Sequence, residues 1–214
     1  MERSFSHLTI VFILFSTFSC ASAYNHISPQ QFTYSSKTLY DNVQLGYKYD
    51  VLRSTGNAKY AKHERKESIK LVALKVTNNS ETAKNLTTDY SFYIDDREIL
   101  PLSPQETQKK LKQGVAIYSL YFLLMGVNGY KTTTTTNNGK VTSSSTKFIP
   151  LGIIAGPAIA IGNMAVAKTA NNNLLRQLQN YDLNRTIEKG QTSYILIAFK
   201  NIGYDEITMK PVSH

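Results

Sequence analysis

Few residues in this chain have types and spacing that could do chemistry. Cys20 is the single cysteine, and it lies in the stretch FILFSTFSCASAYN. In an exported chain its thiol could accept a lipid, a reaction that needs no partner side chain. The following Ala21-Ser22-Ala23 offers a rival outcome, because small residues at such positions suit a signal peptidase whose cut would discard the cysteine. The histidines are His7, His26, His63 and His214. Only His63, in KHERKE, has charged neighbours, and it lacks the HExxH spacing that turns two imidazoles toward one zinc ion. With no cysteine after residue 20, disulfide, zinc–cysteine and thiol-nucleophile frameworks fall together. Asp95-Asp96-Arg97-Glu98 could suggest paired carboxylates. No second acidic cluster accompanies it, and aspartates favour turns, so it reads as a hairpin turn. GYKTTTTT has a lysine and threonines without the GxxxxGK[ST] spacing of a phosphate loop. The expectation is therefore a non-enzyme with no catalytic residue, no metal and no cofactor.

Charge and small residues carry more information. The formal net charge of the 214 residues is +9, and removing residues 1–20 leaves it unchanged because Glu2 and Arg3 cancel. Such an excess favours anionic partners. The basic run 59–70 is interrupted by Glu64 and Glu67, so nucleic acid is not expected among them. Segments 114–130 and 148–167 contain no charged residue. The second carries Gly152 and Gly156 at GxxxG spacing, and Ala158 and Gly162 repeat the small-xxx-small pattern that lets helices approach closely. N-x-S/T triplets begin at Asn78, Asn85 and Asn184; turn composition explains them as well as glycan attachment does.

The elements that must position these residues follow from periodicity. Leu8 to Phe18 is an apolar run behind Arg3, which reads as a signal segment over 1–23. Residues 24–37 are polar and read as a linker. Val43, Leu45, Tyr47, Tyr49 and Val51 alternate as in a strand, and NAKYAKHERKE (57–67) reads as a charged connection. SIKLVALKV is apolar on both alternating sets, as in a central strand. Phe92, Ile94 and Ile99 flank the aspartate turn, and 194–199 is another β-rich run. Between these regions Ser103, Pro104 and Glu106 form a capping-box signature, which predicts a helix from 103 to about 125. The Thr/Ser-rich stretch 131–147 reads as a polar loop, and a second helix is predicted from Pro157 to about Tyr181.

IKLVALKVTNNSETAKNL, the FYIDDREI hairpin and TIEKGQTSYILIAFK together resemble the strand signature of small exported bacterial immunoglobulin-like domains. GPAIAIGNMAVA resembles an apolar insert in uncharacterised lipoproteins of the same kind. The resemblance covers about half of the chain beyond the signal segment. It implies a non-catalytic module of the bacterial cell envelope, on the periplasmic side or at the outer membrane, and it supplies no site residues.

The combined expectation is an α+β protein: an immunoglobulin-like antiparallel β-sandwich over 38–102 and 186–214, interrupted at 103–185 by a two-helix apolar hairpin. Gly152, Gly156 and Gly162 on one arm face Leu120, Phe122, Leu123 and Leu124 on the other, and Cys20 is the lipidation candidate. Three uses of the hairpin stay open: lying on the sandwich, meeting a membrane, or packing against copies of itself or an envelope partner. The alternative is a soluble exported module for an anionic glycan or peptide.

Overall fold

The computed structural model describes residues 20–35, 38–201 and 203–212. The apolar signal run, His7 and His214 lie outside them. The chain is mixed α+β with antiparallel sheets, and it divides into two compact units. One comprises Ala23–Gln113 and Ala170–His214, the other Met1–Ser22 and Gly114–Thr169.

In the larger unit, strands β1 (Thr38–Tyr40), β2 (Val43–Lys48), β3 (Ile69–Asn78) and β10 (Thr192–Lys200) form one sheet in that order. A second sheet runs in the order β11 (Ile207–Pro211), β5 (Tyr90–Ile94), β6 (Arg97–Ile99). The two-residue strands β4 (Lys84–Asn85) and β9 (Thr186–Ile187) pair separately. Alternation places Leu45, Val72, Leu74, Ile195, Ile197 and Phe199 of the first sheet against Phe92, Ile94, Ile207 and Met209 of the second. The other face of the first sheet is also covered. Leu71, Ala73, Leu196 and Ala198 meet residues of helices α1 (Val51–Ser54), α2 (Ala58–Lys66), α3 (Pro104–Leu111) and the end of α4 (Leu151–Asn180). This helical layer is why β3 is apolar on both sides; a plain two-sheet sandwich buries only one face of each strand.

Several expectations are corrected here. The strand expected to reach Val51 ends at Lys48, because Asp50 adopts a left-handed backbone (φ 57°) and starts α1. The charged connection 57–67 is helix α2, whose Tyr60, Ala61 and Glu64 share a buried side. Residues 24–37 are not simply a linker. Ile27 is fully buried, its N–H donates to Gln177 Oε1 at 3.0 Å, and the Tyr24 ring meets Tyr60 edge-on at 5.5 Å. The capping box at Ser103 forms as its residues predict, but its helix stops at Leu111. The Gln113 N–H, which would continue the helical ladder, donates instead to Asn171 Oδ1 at 2.8 Å. A 3-10 helix, Ala116–Gly126, follows.

Glu64 is a buried carboxyl whose Oε1 accepts the Leu71 N–H at 2.8 Å. Burial raises its pKa, against the lowering effects of that hydrogen bond and of Lys70. The folded state therefore holds the Glu64 proton more tightly than the unfolded chain. The associated stability is fully present below the unfolded value of about 4.3 and is lost as pH rises through the raised folded value. Glu64→Gln removes this dependence while keeping an acceptor for Leu71. Its Tm should match the parent at about pH 4 and exceed it at about pH 8; equal melting differences at both pH values would contradict the assignment.

Candidate functional site

The smaller unit holds the segment singled out by its lack of charge. Residues 114–169 contain Lys131, Lys140, Lys147 and Lys168 and no acid. The stretch expected as a polar loop is a β-hairpin: β7 (Gly129–Asn137) pairs with β8 (Lys140–Ile149). Its turn holds Asn138 and Gly139 at φ 46° and 74°, the left-handed pair that a tight two-residue hairpin requires. Asn-Gly between β-branched threonines was a readable signal for this turn, hidden by the low-complexity composition. Thr132 and Thr146 share a hydroxyl hydrogen bond at 3.1 Å, and Tyr130 lies against Phe148 at 5.4 Å.

Helix α4 starts at Leu151 rather than at Pro157, which lies inside it. Its residues 151–169 belong to the smaller unit. The two glycines of the GxxxG pair contact the 3-10 segment directly. A Cβ at Gly152 would collide with the carbonyl oxygens of Leu124 and Val127. At Gly156 it would sit 2.9 Å from the Tyr121 carbonyl oxygen and 3.4 Å from Leu124 Cβ. The Gly152 N–H also donates to Val127 O at 2.9 Å. The expected apolar hairpin is thus an α-helix against a 3-10 helix. Of the residues expected to face the glycines, Leu124 does. Leu120, Phe122 and Leu123 are exposed, and a Cβ at Gly162 would meet nothing within 4 Å. Further along the helix, Ile161 and Ala165 do not face inward. Both are exposed, whereas Ala160 and Ala167 are buried.

Turning these small residues inward leaves large ones outside. Among the described residues, fifteen of the twenty exposed large apolar side chains fall within 117–166, including Leu123, Ile154 and Ile161. A surface that apolar is unusual on a soluble monomer. Among the described residues α4 is the one helix long and apolar enough to cross a bilayer, by length and composition, and 22% of its most apolar 18-residue window is buried. Cys20 is exposed. The N–H of its neighbour Ala21 donates to Asn163 Oδ1 on α4 at 2.6 Å, a contact that nothing in the sequence indicated.

The remaining candidates are structural. Asp95 and Asp96 occupy the β5–β6 turn with positive φ, and Asp96 pairs with Lys210 at 2.9 Å. His63 is half-buried on α2, and burial, then Lys66, lowers its pKa. Asn78 is fully buried. Its amide donates to Thr82 O and Ile187 O, both at 2.8 Å, so in the folded chain it is closed to glycan attachment. Among the described residues no three His, Cys, Asp or Glu side chains are placed to share a metal ion. Comparison with protein-family models, curated proteins and solved structures gives no match for this chain.

Proposed function

We propose that this chain is a non-catalytic structural or interaction protein of a bacterial cell envelope, whose apolar segment 114–169 mediates membrane association or assembly. The observation that carries the reading is the concentration of exposed large apolar side chains between 117 and 166, in a segment with four lysines and no acid. Lysines beside an apolar surface suit anionic lipid head groups. Eighteen residues of α4 rise about 27 Å, close to the roughly 30 Å hydrocarbon core. The larger unit is read as an immunoglobulin-like module with an added helical layer, on the support of its antiparallel sheets and their shared core.

Cys20 is read as a lipid attachment point. The Ala21–Asn163 hydrogen bond supports this, since it holds the residue after Cys20 on the apolar helix. A lipid there and the apolar side chains would act as two signals, and a single acyl chain alone gives marginal binding. The mass of the mature N-terminus checks it: a chain beginning at Tyr24 refutes the lipid.

Vesicle flotation of the full chain with anionic lipid tests the main reading. The parent should float with the vesicles. Leu123→Asp combined with Ile154→Asp should move most of it to the soluble fraction, since charged residues are costly in a bilayer. A double variant that floats as well as the parent sinks the membrane role. A parent that stays soluble as a monomer sinks assembly also, and favours the soluble module for an anionic glycan or peptide.

A further inference from the structure

Four lysines mark the ends of the apolar segment. Residues 113–130 lie between Lys112 and Lys131, and residues 148–167 between Lys147 and Lys168, with no charge in either stretch. The two arms run antiparallel, since Gly152 meets Leu124 and Gly156 meets Tyr121. Leu120 and Leu123 on one arm and Ile154 and Ile161 on the other are exposed. A helix that lies in the plane of a bilayer keeps a strongly charged or polar face toward water. From Leu151 to Ala167, Asn163 is the one polar side chain, so α4 has no such face. Over that length it rises about 26 Å. The 3-10 winding of Ala116–Gly126 brings the shorter arm close to this length, with a rise of about 22 Å against about 17 Å in an α-helix.

The end that carries the β7–β8 hairpin is graded. Tyr130 stands opposite Phe148 and Lys131 opposite Lys147 in the strand register. Like charges directly opposite destabilise a hairpin, and among the described residues neither lysine forms an ion pair. An anionic lipid head group would neutralise both. Apolar helix, aromatic pair, lysine pair and Thr/Ser strands thus follow one another in the order of hydrocarbon, interface, head group and water. Asn163 is satisfied as a polar group in lipid must be. Its amide donates to Ile159 O at 2.9 Å, and its Oδ1 accepts the Ala21 N–H. It lies five residues before Lys168, so a lipid on Cys20 would enter the bilayer near the Lys168 end.

We propose that the two arms cross an anionic lipid bilayer as a two-pass unit. Lys112 and Lys168 lie at one surface, Lys131 and Lys147 at the other, and the β7–β8 hairpin stands in the water beyond. This rests on the membrane reading and adds the crossing to it.

Lysine acetylation of the full chain in sealed vesicles tests it. Preformed vesicles of phosphatidylcholine and phosphatidylglycerol are loosened with detergent, loaded with the chain and resealed by removing the detergent. The folded larger unit cannot cross, so insertion has one direction. A membrane-impermeant acetylating ester is then added outside. Mass spectrometry should find Lys168 modified and Lys140 unmodified until detergent reopens the vesicles. Both lysines are exposed in the structure, so protection of Lys140 reports the bilayer and not the fold. Insertion should fall in vesicles of phosphatidylcholine alone, and an equal yield there would overturn the role given to the lysine pair. In vesicles that carry the chain when they float, modification of Lys140 before reopening, or protection of Lys168 along with it, would overturn the crossing and leave membrane association standing. A chain left behind by the floating vesicles would overturn both.

Discussion

Gly152→Ala should disrupt the 116–169 segment, while Gly162→Ala leaves it intact or slightly firmer. Both are single methyl additions within one helix, so intrinsic helix propensity favours both by about 0.5–1 kcal/mol. Their surroundings differ. At Gly152 the added carbon meets two backbone carbonyl oxygens, those of Leu124 and Val127, and backbone cannot swing aside as a side-chain end can. The 3-10 segment would have to leave the helix, breaking the hydrogen bond from Gly152 N to Val127 O. Overpacking of this kind costs typically 1–3 kcal/mol, and a clash with backbone on both sides belongs at the upper end, about 3 kcal/mol. At Gly162 the methyl enters open space. Amide hydrogen exchange across 114–169 reads the difference directly. Protection lost equally in both variants, or in neither, would show that the observed close approach does not hold the segment together.

Asn171→Ala should destabilise the larger unit by about 4 kcal/mol, as the loss of a buried hydrogen-bond network does. The Asn171 side chain accepts the Gln113 N–H at 2.8 Å and donates to Gln113 O at 2.9 Å. It also accepts the Tyr60 hydroxyl at 3.1 Å. Asn171, Gln113 and Tyr60 are all buried. Truncation leaves a backbone donor and a backbone acceptor without partners, at about 1–3 kcal/mol each, and adds a small cavity. Asn172, exposed beside it, is the matched control and should change stability by less than about 0.5 kcal/mol on conversion to alanine. Urea denaturation of the two variants decides the point. A loss below about 1 kcal/mol for Asn171→Ala would mean that the chain relaxes to re-pair Gln113.

These two sites also show where the sequence was readable. The glycine pair stood out by its spacing, and its use in close helix contact was anticipated. Its partner was not, because a 3-10 segment has no hydrophobic period that distinguishes it from an α-helix over eleven residues. The outward position of Leu120, Phe122 and Leu123 follows from that altered winding. Asn171 carried no signal at all. In the sequence it is one of three consecutive asparagines, and its role arises from a residue 58 positions away.

What the sequence determined by itself is local. The capping box at Ser103, the aspartate turn, the apolar runs of β3 and β10, the alternation of β5, and the uncharged stretches around the Thr/Ser run all depend on chemistry within a few residues, where side-chain type alone selects the backbone. The tertiary structure decided what depends on distant partners. It drew Ile27 into the core through Gln177 and set Tyr24 against Tyr60, and it stopped α3 at Leu111 by offering Gln113 a better acceptor. It also turned the small residues of α4 inward, so that the large apolar ones face out. Each of these is settled by burial and hydrogen-bond satisfaction summed over the folded chain, quantities that no short window contains.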